Sequence, residues 1–253
     1  MRTIKTRYYP IFNSIIPFKQ KDSQITVKNL TDKSADLYIY GEIVDNTDYK
    51  WDEKDVMPDD VKNALEKVDG LETLNIYINS PGGSVFSGTA IYNMLKRNKA
   101  KKIVHIDGVA ASMASVIALV GDEIYMPSNA FMMIHKPLTW VVGNANDLRK
   151  VADDLDVIEE GLIEAYKEKL KDGADVEEIK QMLNDETWLT AEKASQYFDI
   201  NVIEARQISA SAKHLLKEYK NVPKELIKED VSNPKSSNEE KLKFQNELDL
   251  LTL

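Results

Sequence analysis

Residues 73–86 read TLNIYINSPGGSVF, a run that passes from alternating apolar residues through Ser-Pro-Gly-Gly to the start of a helical pattern. The alternation over 73–79 predicts a strand, and Ser80–Gly83 is predicted to be the turn that follows it. Two consecutive glycines let backbone amides approach a ligand closely, and amides ahead of a helix cradle negative charge. The spacing alone favours this cradle and an ordinary tight turn equally.

Strands and helices alternate on both sides of this junction. Such alternation predicts an α/β fold with a parallel sheet joined by crossover connections. The predicted strands cover residues 36–41, 73–79, 101–107, 123–127, 130–135 and 200–203. The predicted helices cover residues 57–68, 86–97, 112–120, 145–171 and 176–184, and a further short helix begins after Thr190.

The chain divides into three regions by the character of its sequence. Residues 1–34 have weak periodicity and several turn formers, which predicts an irregular N-terminal arm. Residues 35–206 carry the strand and helix patterns and form the predicted domain. Residues 207–253 form a C-terminal extension that is partly helical and becomes a polar tail from residue 232.

The composition excludes several classes of chemistry. The 253 residues include no cysteine, so the chain carries no disulfide, no thiolate nucleophile and no cysteine-ligated zinc. A formal net charge of −9 disfavours nucleic acid as a partner. The N-terminus lacks the clean apolar run of a signal peptide, and the most apolar run, residues 110–120, is too short to span a bilayer. We therefore expect a soluble, cytoplasmic protein with no membrane partner.

A candidate nucleophile lies at a second strand-to-helix junction, in the sequence GVAASM at residues 108–113. A serine at such a junction can present its hydroxyl at the sheet edge while the amide of the next residue faces a developing oxyanion. Ser112 and Met113 are these two residues. A serine among alanines is more often a packing or capping residue, so the motif alone leaves that alternative open.

A candidate base and two candidate acids follow further along the chain. His135 ends the apolar run FMMIH, which predicts a position at the end of a strand and toward a cleft. A Ser–His pair needs a carboxylate to orient the imidazole, and Asp185 and Glu186 both precede the sequence WLTA. The residues themselves do not choose between the two acids, and a solvated acidic turn before a helix cap also explains them.

The order and spacing of these motifs resemble the family of the Clp protease proteolytic subunit (ClpP, peptidase family S14). The resemblance rests on INSPGG, AASM, MIHKPL and an acid before WLTA, and it covers residues 36–205. It implies a ClpP/crotonase-like fold of repeated β-β-α units wound into a superhelix, with a long handle helix at 145–171. It also implies roles for individual residues: Ser112 as nucleophile, His135 as general base, Gly83 and Met113 as oxyanion-hole amides, and Gly82 as the residue that shapes the substrate-binding turn.

The activity that the resemblance implies is that of a serine endopeptidase. Such an enzyme hydrolyses peptide bonds through an acyl-enzyme and needs no metal or other cofactor. The expected partners are a peptide or protein substrate and further copies of the chain in a homo-oligomeric ring, heptameric or stacked. The N-terminal arm does not resemble the loops with which the bacterial enzyme engages its ATPase, so an ATPase partner is not indicated.

Several features depart from the housekeeping enzyme. The family's acid is an aspartate, whereas Glu186 aligns best here, with Asp185 as the alternative. The segments SVFSGTAIYNML and ETWLTAEKA, together with the polar extension, resemble phage and prophage ClpP-like proteins associated with head maturation. That branch implies a capsid or scaffold protein as substrate, cleaved in the host cytoplasm or the prohead. Two other functions stay open: a non-enzymatic ring-forming assembly protein and a crotonase-like acyl-CoA enzyme.

Overall fold

The computed structural model describes residues 27–46, 54–205 and 219–223. Within these ranges the chain forms eight strands and six helices. The strands are β1 (Val27–Lys28), β2 (Ser34–Ile43), β3 (Thr73–Gly83), β4 (Lys101–Ala111), β5 (Glu123–Pro127), β6 (Phe131–Ile134), β7 (Thr187–Thr190) and β8 (Asn201–Ile203). The helices are α1 (Pro58–Lys67), α2 (Val85–Arg97), α3 (Met113–Ala118), α4 (Ala145–Lys167), α5 (Val176–Asn184) and α6 (Ala191–Tyr197).

The strands build one sheet whose central part is parallel. Its order is β1-β2-β3-β4-β5-β8, and all neighbours are parallel except β1, which runs antiparallel to β2. β6 pairs in parallel with the last residues of β4, and β7 pairs antiparallel with β6. This topology confirms the predicted α/β class.

Alternate residues of the two central strands are buried in one hydrophobic core. Ile76 and Ile78 of β3 and Val104 and Ile106 of β4 have no exposed surface. Their burial removes apolar surface from water, which is the main favourable contribution to folding. The core therefore fixes β3 and β4 side by side, and the carboxyl ends of these strands meet at one edge of the sheet.

The Ser-Pro-Gly-Gly motif is not a free turn, contrary to the prediction from the sequence. β3 continues through Gly83, which lies opposite Ile43 in the pairing with β2. The pairing register of β3 shifts at this point against both neighbours, and Gly82 and Gly83 have φ angles of 93° and 144°. Only a residue without Cβ adopts these angles freely, so the two glycines bend a strand that stays paired.

A second difference concerns residues 187–190, which the sequence indicated only as the lead-in to a helix cap. They form β7, and Thr190 also caps α6 by accepting a hydrogen bond from the amide of Lys193 at 3.3 Å. A strand of four residues is too short to show a convincing alternation. Its conformation depends on its partner strand β6, and the sequence pattern does not contain that contact.

The longest helix, α4, is covered by the rest of the described chain only near its C-terminus. All of its buried residues lie between 159 and 166, whereas Leu148 and Val157 are exposed. The helix ends at Lys167, four residues before the predicted end at 171. The core is therefore reached by the C-terminal part of α4, where Leu162, Ile163 and Tyr166 are buried.

The structure describes only parts of the two terminal regions. Residues 1–26 of the arm lie outside the described ranges, and so does the extension apart from residues 219–223. Among the helices of the described ranges, none combines the length and the apolar character needed to cross a membrane.

Candidate active site

Ser112 lies at the junction between β4 and α3 in a backbone conformation that is rare for a residue with a side chain. Its φ and ψ angles are 53° and −126°; such sparsely populated conformations cost about 1–3 kcal/mol. Its backbone N–H donates a hydrogen bond to the carbonyl of Met133 at 2.8 Å. The hydroxyl of Ser115 donates to the carbonyl of Ser112 at 2.6 Å. These two bonds hold Ser112 in the strained conformation.

His135 follows β6 directly and meets the Ser112 side chain. Because β4 and β6 pair with Ala111 opposite Met133, the residues that follow the two strands are neighbours. The Oγ of Ser112 lies 2.7 Å from the Nε2 of His135. Burial lowers the pKa of His135, while the negative charge of Glu186 acts in the opposite direction. A histidine with a lowered pKa is neutral near pH 7 and can accept the serine proton.

The two candidate acids occupy different environments. The antiparallel pairing of β6 and β7 ends with Ile134 opposite Thr187, so the next residues in register are His135 and Glu186. Asp185 instead accepts a hydrogen bond from the Gln181 side chain at 2.9 Å, on the exposed surface. Among the described residues, neither acid is hydrogen-bonded to the His135 ring. Of the two acids, Glu186 is the one whose charge affects the pKa of His135.

The glycines of β3 lie directly against the Ser112 junction. A Cβ added to Gly82 would be 2.5 Å from the carbonyl oxygen of Ala111, 2.7 Å from the Cβ of Ser112 and 2.9 Å from the amide nitrogen of Met113. The Gly82 amide is already used, since it donates to the Ser80 hydroxyl at 3.1 Å. The absence of a side chain at Gly82 thus lets β3 lie close to the Ser112 junction, with the amide of Met113 beside Gly82.

The site opens into a cleft of about 320 Å³. A cleft with mainly apolar walls and a few convergent polar groups is typical of a site that binds an organic ligand. The residues that line it are Glu42, Pro81, Gly82, Gly83, Val85, Ser112, His135, Pro137, Leu138 and Tyr219. The structure therefore brings the predicted glycines, serine and histidine to one cleft.

Two further residues at this site belong to the C-terminal extension, and the sequence did not indicate them. Tyr219 donates a hydrogen bond from its hydroxyl to the carbonyl of Pro81 at 2.5 Å, across 138 positions of the chain. The backbone N–H of Asn221 donates to the Glu186 carboxylate at 2.8 Å. Neither residue belongs to a recognisable motif, so no local signal in the sequence could have identified them.

A comparison with models of known protein families gives one match, described as Clp protease, over residues 23–230. The match covers most of the chain. It contains every residue placed at the cleft, from Glu42 to Asn221.

Proposed function

Because the chain belongs to the Clp protease family, a family of serine-type peptidases, we propose that it is a serine endopeptidase with Ser112 as nucleophile. The observation that carries the proposal is the 2.7 Å contact between the Ser112 Oγ and the His135 Nε2 in an open cleft. A serine acts as a nucleophile when an adjacent base accepts its proton, and this contact provides the base. A crotonase-like enzyme would not need a serine paired with histidine.

The reaction proceeds in two steps. Ser112 attacks the carbonyl carbon of the scissile peptide bond while His135 accepts the hydroxyl proton on Nε2. His135 then protonates the leaving amine as the C–N bond breaks, which leaves an acyl ester on Ser112. A water molecule, deprotonated by His135, attacks the ester, and the proton returns to Ser112 as the new carboxylate leaves.

The negative charge that develops on the carbonyl oxygen needs donors that are already in place. We assign this role to the backbone amides of Gly83 and Met113, with Gly82 as the residue that lets the two strands approach closely enough. Each such donor contributes on the order of 3 kcal/mol to stabilising the transition state. Beyond Ser80, β3 is no longer paired with β4, and we propose that an extended substrate lies along residues 81–83 there.

Labelling with a fluorophosphonate probe tests the nucleophile directly. We expect one adduct per chain, located on Ser112 by peptide mass spectrometry, and no adduct in Ser112→Ala or His135→Ala. Ser128→Ala is the matched control, because Ser128 is an exposed serine outside the cleft. An adduct on another residue would overturn the site assignment. No adduct on the folded protein would favour the non-enzymatic assembly protein.

For the biological substrate, we propose a capsid or scaffold protein of a phage or prophage, cleaved in the host cytoplasm or the prohead. The support is the resemblance of SVFSGTAIYNML, ETWLTAEKA and the polar extension to phage ClpP-like proteins. Co-expression with capsid and scaffold proteins of phage origin tests it. New N-termini on a head protein, present with the parent and absent with Ser112→Ala, are the expected result. Unprocessed head proteins with an enzyme that cleaves peptides would refute this role.

We also propose that copies of the chain assemble into a ring that stacks through α4 and the segment before it. Trp140 and Val142 are 93% and 88% exposed, and Leu148 and Val157 on α4 are exposed as well. Contiguous exposed apolar side chains mark an interaction surface, and a second copy of the chain would cover them.

Sedimentation velocity tests this assembly. The parent should sediment as an oligomer, and the double variant Trp140→Ser/Val142→Ser should sediment as a smaller species. Leu30→Ser is the control, because Leu30 is an exposed apolar residue away from α4. An unchanged mass in the double variant would refute stacking through this surface.

A further inference from the structure

We infer that Tyr219 and Asn221, in the C-terminal extension, are positioning residues of the catalytic site, which hold Glu186 and His135 in their working arrangement. The inference rests on the proposed function, since it assigns a role in that reaction. It makes the extension a part of the active site, although the extension lies far from the motifs in the sequence.

Asn221 makes three hydrogen bonds, all to the two acidic residues that precede β7. Its backbone N–H donates to the Oε1 of Glu186 at 2.8 Å. Its side-chain amide donates to the carbonyl of Asp185 at 3.0 Å and to the carbonyl of Glu186 at 3.3 Å. One residue therefore binds both the backbone of this turn and the carboxylate that faces His135.

The turn needs such support because of its conformation. Glu186 has a φ angle of 48°, in the left-handed region that residues other than glycine, asparagine and aspartate seldom adopt. A residue persists in this region only when its surroundings fix it. The bonds from Asn221 to the two carbonyls supply that constraint.

The carboxylate needs support for a separate reason. Glutamate has one more rotatable bond than the aspartate that the ClpP resemblance leads us to expect, so its carboxylate loses more conformational freedom when it is fixed. The bond from Asn221 holds one carboxylate oxygen. It thereby keeps the negative charge near His135 without a direct hydrogen bond between the acid and the imidazole.

Tyr219 connects the two sides of the cleft. Its hydroxyl is bonded to Pro81 on β3, and its ring lies edge-on to the His135 ring at 5.4 Å between centroids. The ring also contacts Trp188 edge-on at 6.1 Å. Tyr219 and Trp188 pack against a small buried cluster beneath the ends of β4 and β6, formed by Val109, Ala111 and Met133. Tyr219 therefore contacts both the His135 ring and the buried cluster beside it.

A double-mutant cycle tests the inference on the full-length protein, with hydrolysis of a fluorogenic peptide as the readout. Asn221→Ala should lower kcat about tenfold in the parent and leave kcat almost unchanged in a Glu186→Gln background, because contacting residues that act together are not additive. Asn221→Pro also removes the backbone donor and should lower kcat further. KM should change little. Asn184→Ala, on the same turn, is the matched control and should have parental kcat.

Tyr219→Phe provides a second variant that keeps the ring and loses the hydroxyl, which donates to Pro81. It should lower kcat without changing the melting temperature by more than a few degrees. Tyr219→Ala should lower kcat more than Tyr219→Phe does. Melting curves of all variants separate a loss of positioning from a loss of folding.

Three outcomes would overturn the inference. Equal fold losses for Asn221→Ala in the parent and in the Glu186→Gln background would show a purely structural role. Faster hydrolysis by Asn221→Ala or Tyr219→Ala would show that the extension blocks the cleft. Parental kcat in every variant would show that the extension is irrelevant to the reaction. A parent that lacks Ser112 labelling would instead overturn the proposed function itself, so the two failures are distinguishable.

Discussion

The backbone N–H of Ser112 is bonded to the carbonyl of Met133 at 2.8 Å, and this bond joins the strand that leads into Ser112 to the strand that leads into His135. His135 follows Met133 by two residues. The distance between the serine hydroxyl and the imidazole is therefore set by strand pairing, which is rigid, and not by the rotamers of surface side chains. The pairing of β6 with β7 continues this arrangement and places Glu186 next in register to His135.

We expect Glu186→Gln to lower peptide hydrolysis about 10- to 100-fold, because a charge effect alone lies in the range of 1–3 kcal/mol. The charge of Glu186 raises the pKa of His135, and burial lowers it. Removing the charge leaves burial unopposed, so the pKa of His135 falls. The reaction needs neutral His135, and the acidic limb of the rate profile should therefore move to lower pH.

Asp185→Asn is the matched control for this change. Asp185 is bonded to Gln181 at the surface, so the substitution should leave both the rate and the pH profile near those of the parent. A pH profile that moves with Asp185→Asn and not with Glu186→Gln would reverse the assignment of the acid.

Gly82→Ala should abolish fluorophosphonate labelling of Ser112. The added Cβ would lie 2.5 Å from the Ala111 carbonyl and 2.7 Å from the Cβ of Ser112, so one of the two strands must move. Gly70→Ala is the control: Gly70 also has a positive φ, of 83°, but open space around it. It should lose about 1 kcal/mol of stability and keep full labelling. Normal labelling of Gly82→Ala would contradict the close approach of Gly82 to Ala111 and Ser112.

Tyr166→Phe should lower the free energy of unfolding by about 1–2 kcal/mol. The Tyr166 hydroxyl is buried and lies 2.7 Å from the Oγ of Ser115, which itself donates to the Ser112 carbonyl. Because the Ser115 hydrogen is used in that bond, Tyr166 is the donor, and its loss leaves a buried acceptor unsatisfied. Urea unfolding of Tyr166→Phe measures the cost. The half-buried bond of the Tyr125 hydroxyl to Glu123 provides the comparison. Water can replace the hydroxyl there, so Tyr125→Phe should change stability by less than about 0.5 kcal/mol.

Lys136→Met should destabilise the protein by about 1–2 kcal/mol because it leaves the carboxylate of Glu159 without its cation. The two groups lie 2.9 Å apart, and the side chain of Glu159 is only 11% exposed. This ion pair links α4 to the residue that follows His135. Lys150→Met breaks an exposed pair with Asp154 on the same helix and should cost less than about 0.5 kcal/mol. Equal costs for the two variants would show that burial of Glu159 is unimportant.

The local parts of the fold were predictable from the sequence because they depend on short patterns. β5 and α5 have the predicted bounds, and Asp175 caps α5 by accepting a hydrogen bond from the backbone N–H of Glu177. The alternation in β3 and the glycine pair in SPGG are signals of the same local kind. They were sufficient to identify the α/β class and the candidate residues of the cleft.

The parts that the sequence did not predict depend on contacts between distant segments. The extended conformation of the SPGG motif comes from pairing with β2, and β7 exists because β6 lies beside it. The register that places Glu186 next to His135 follows from the same pairing. Tyr219 and Asn221 lie at the cleft because the C-terminal extension contacts it, and no periodic pattern in the sequence predicts this contact.

The backbone conformation that Ser112 adopts at the cleft lowers the stability of the protein. Glycine adopts a φ of 53° without penalty. The free energy of unfolding of Ser112→Gly should therefore be about 1 kcal/mol higher than that of the parent, so that the variant unfolds at a higher denaturant concentration. Ser112→Ala keeps its Cβ and should not share this gain. A serine at this position therefore holds its hydroxyl in the cleft at the expense of the stability that a glycine would recover.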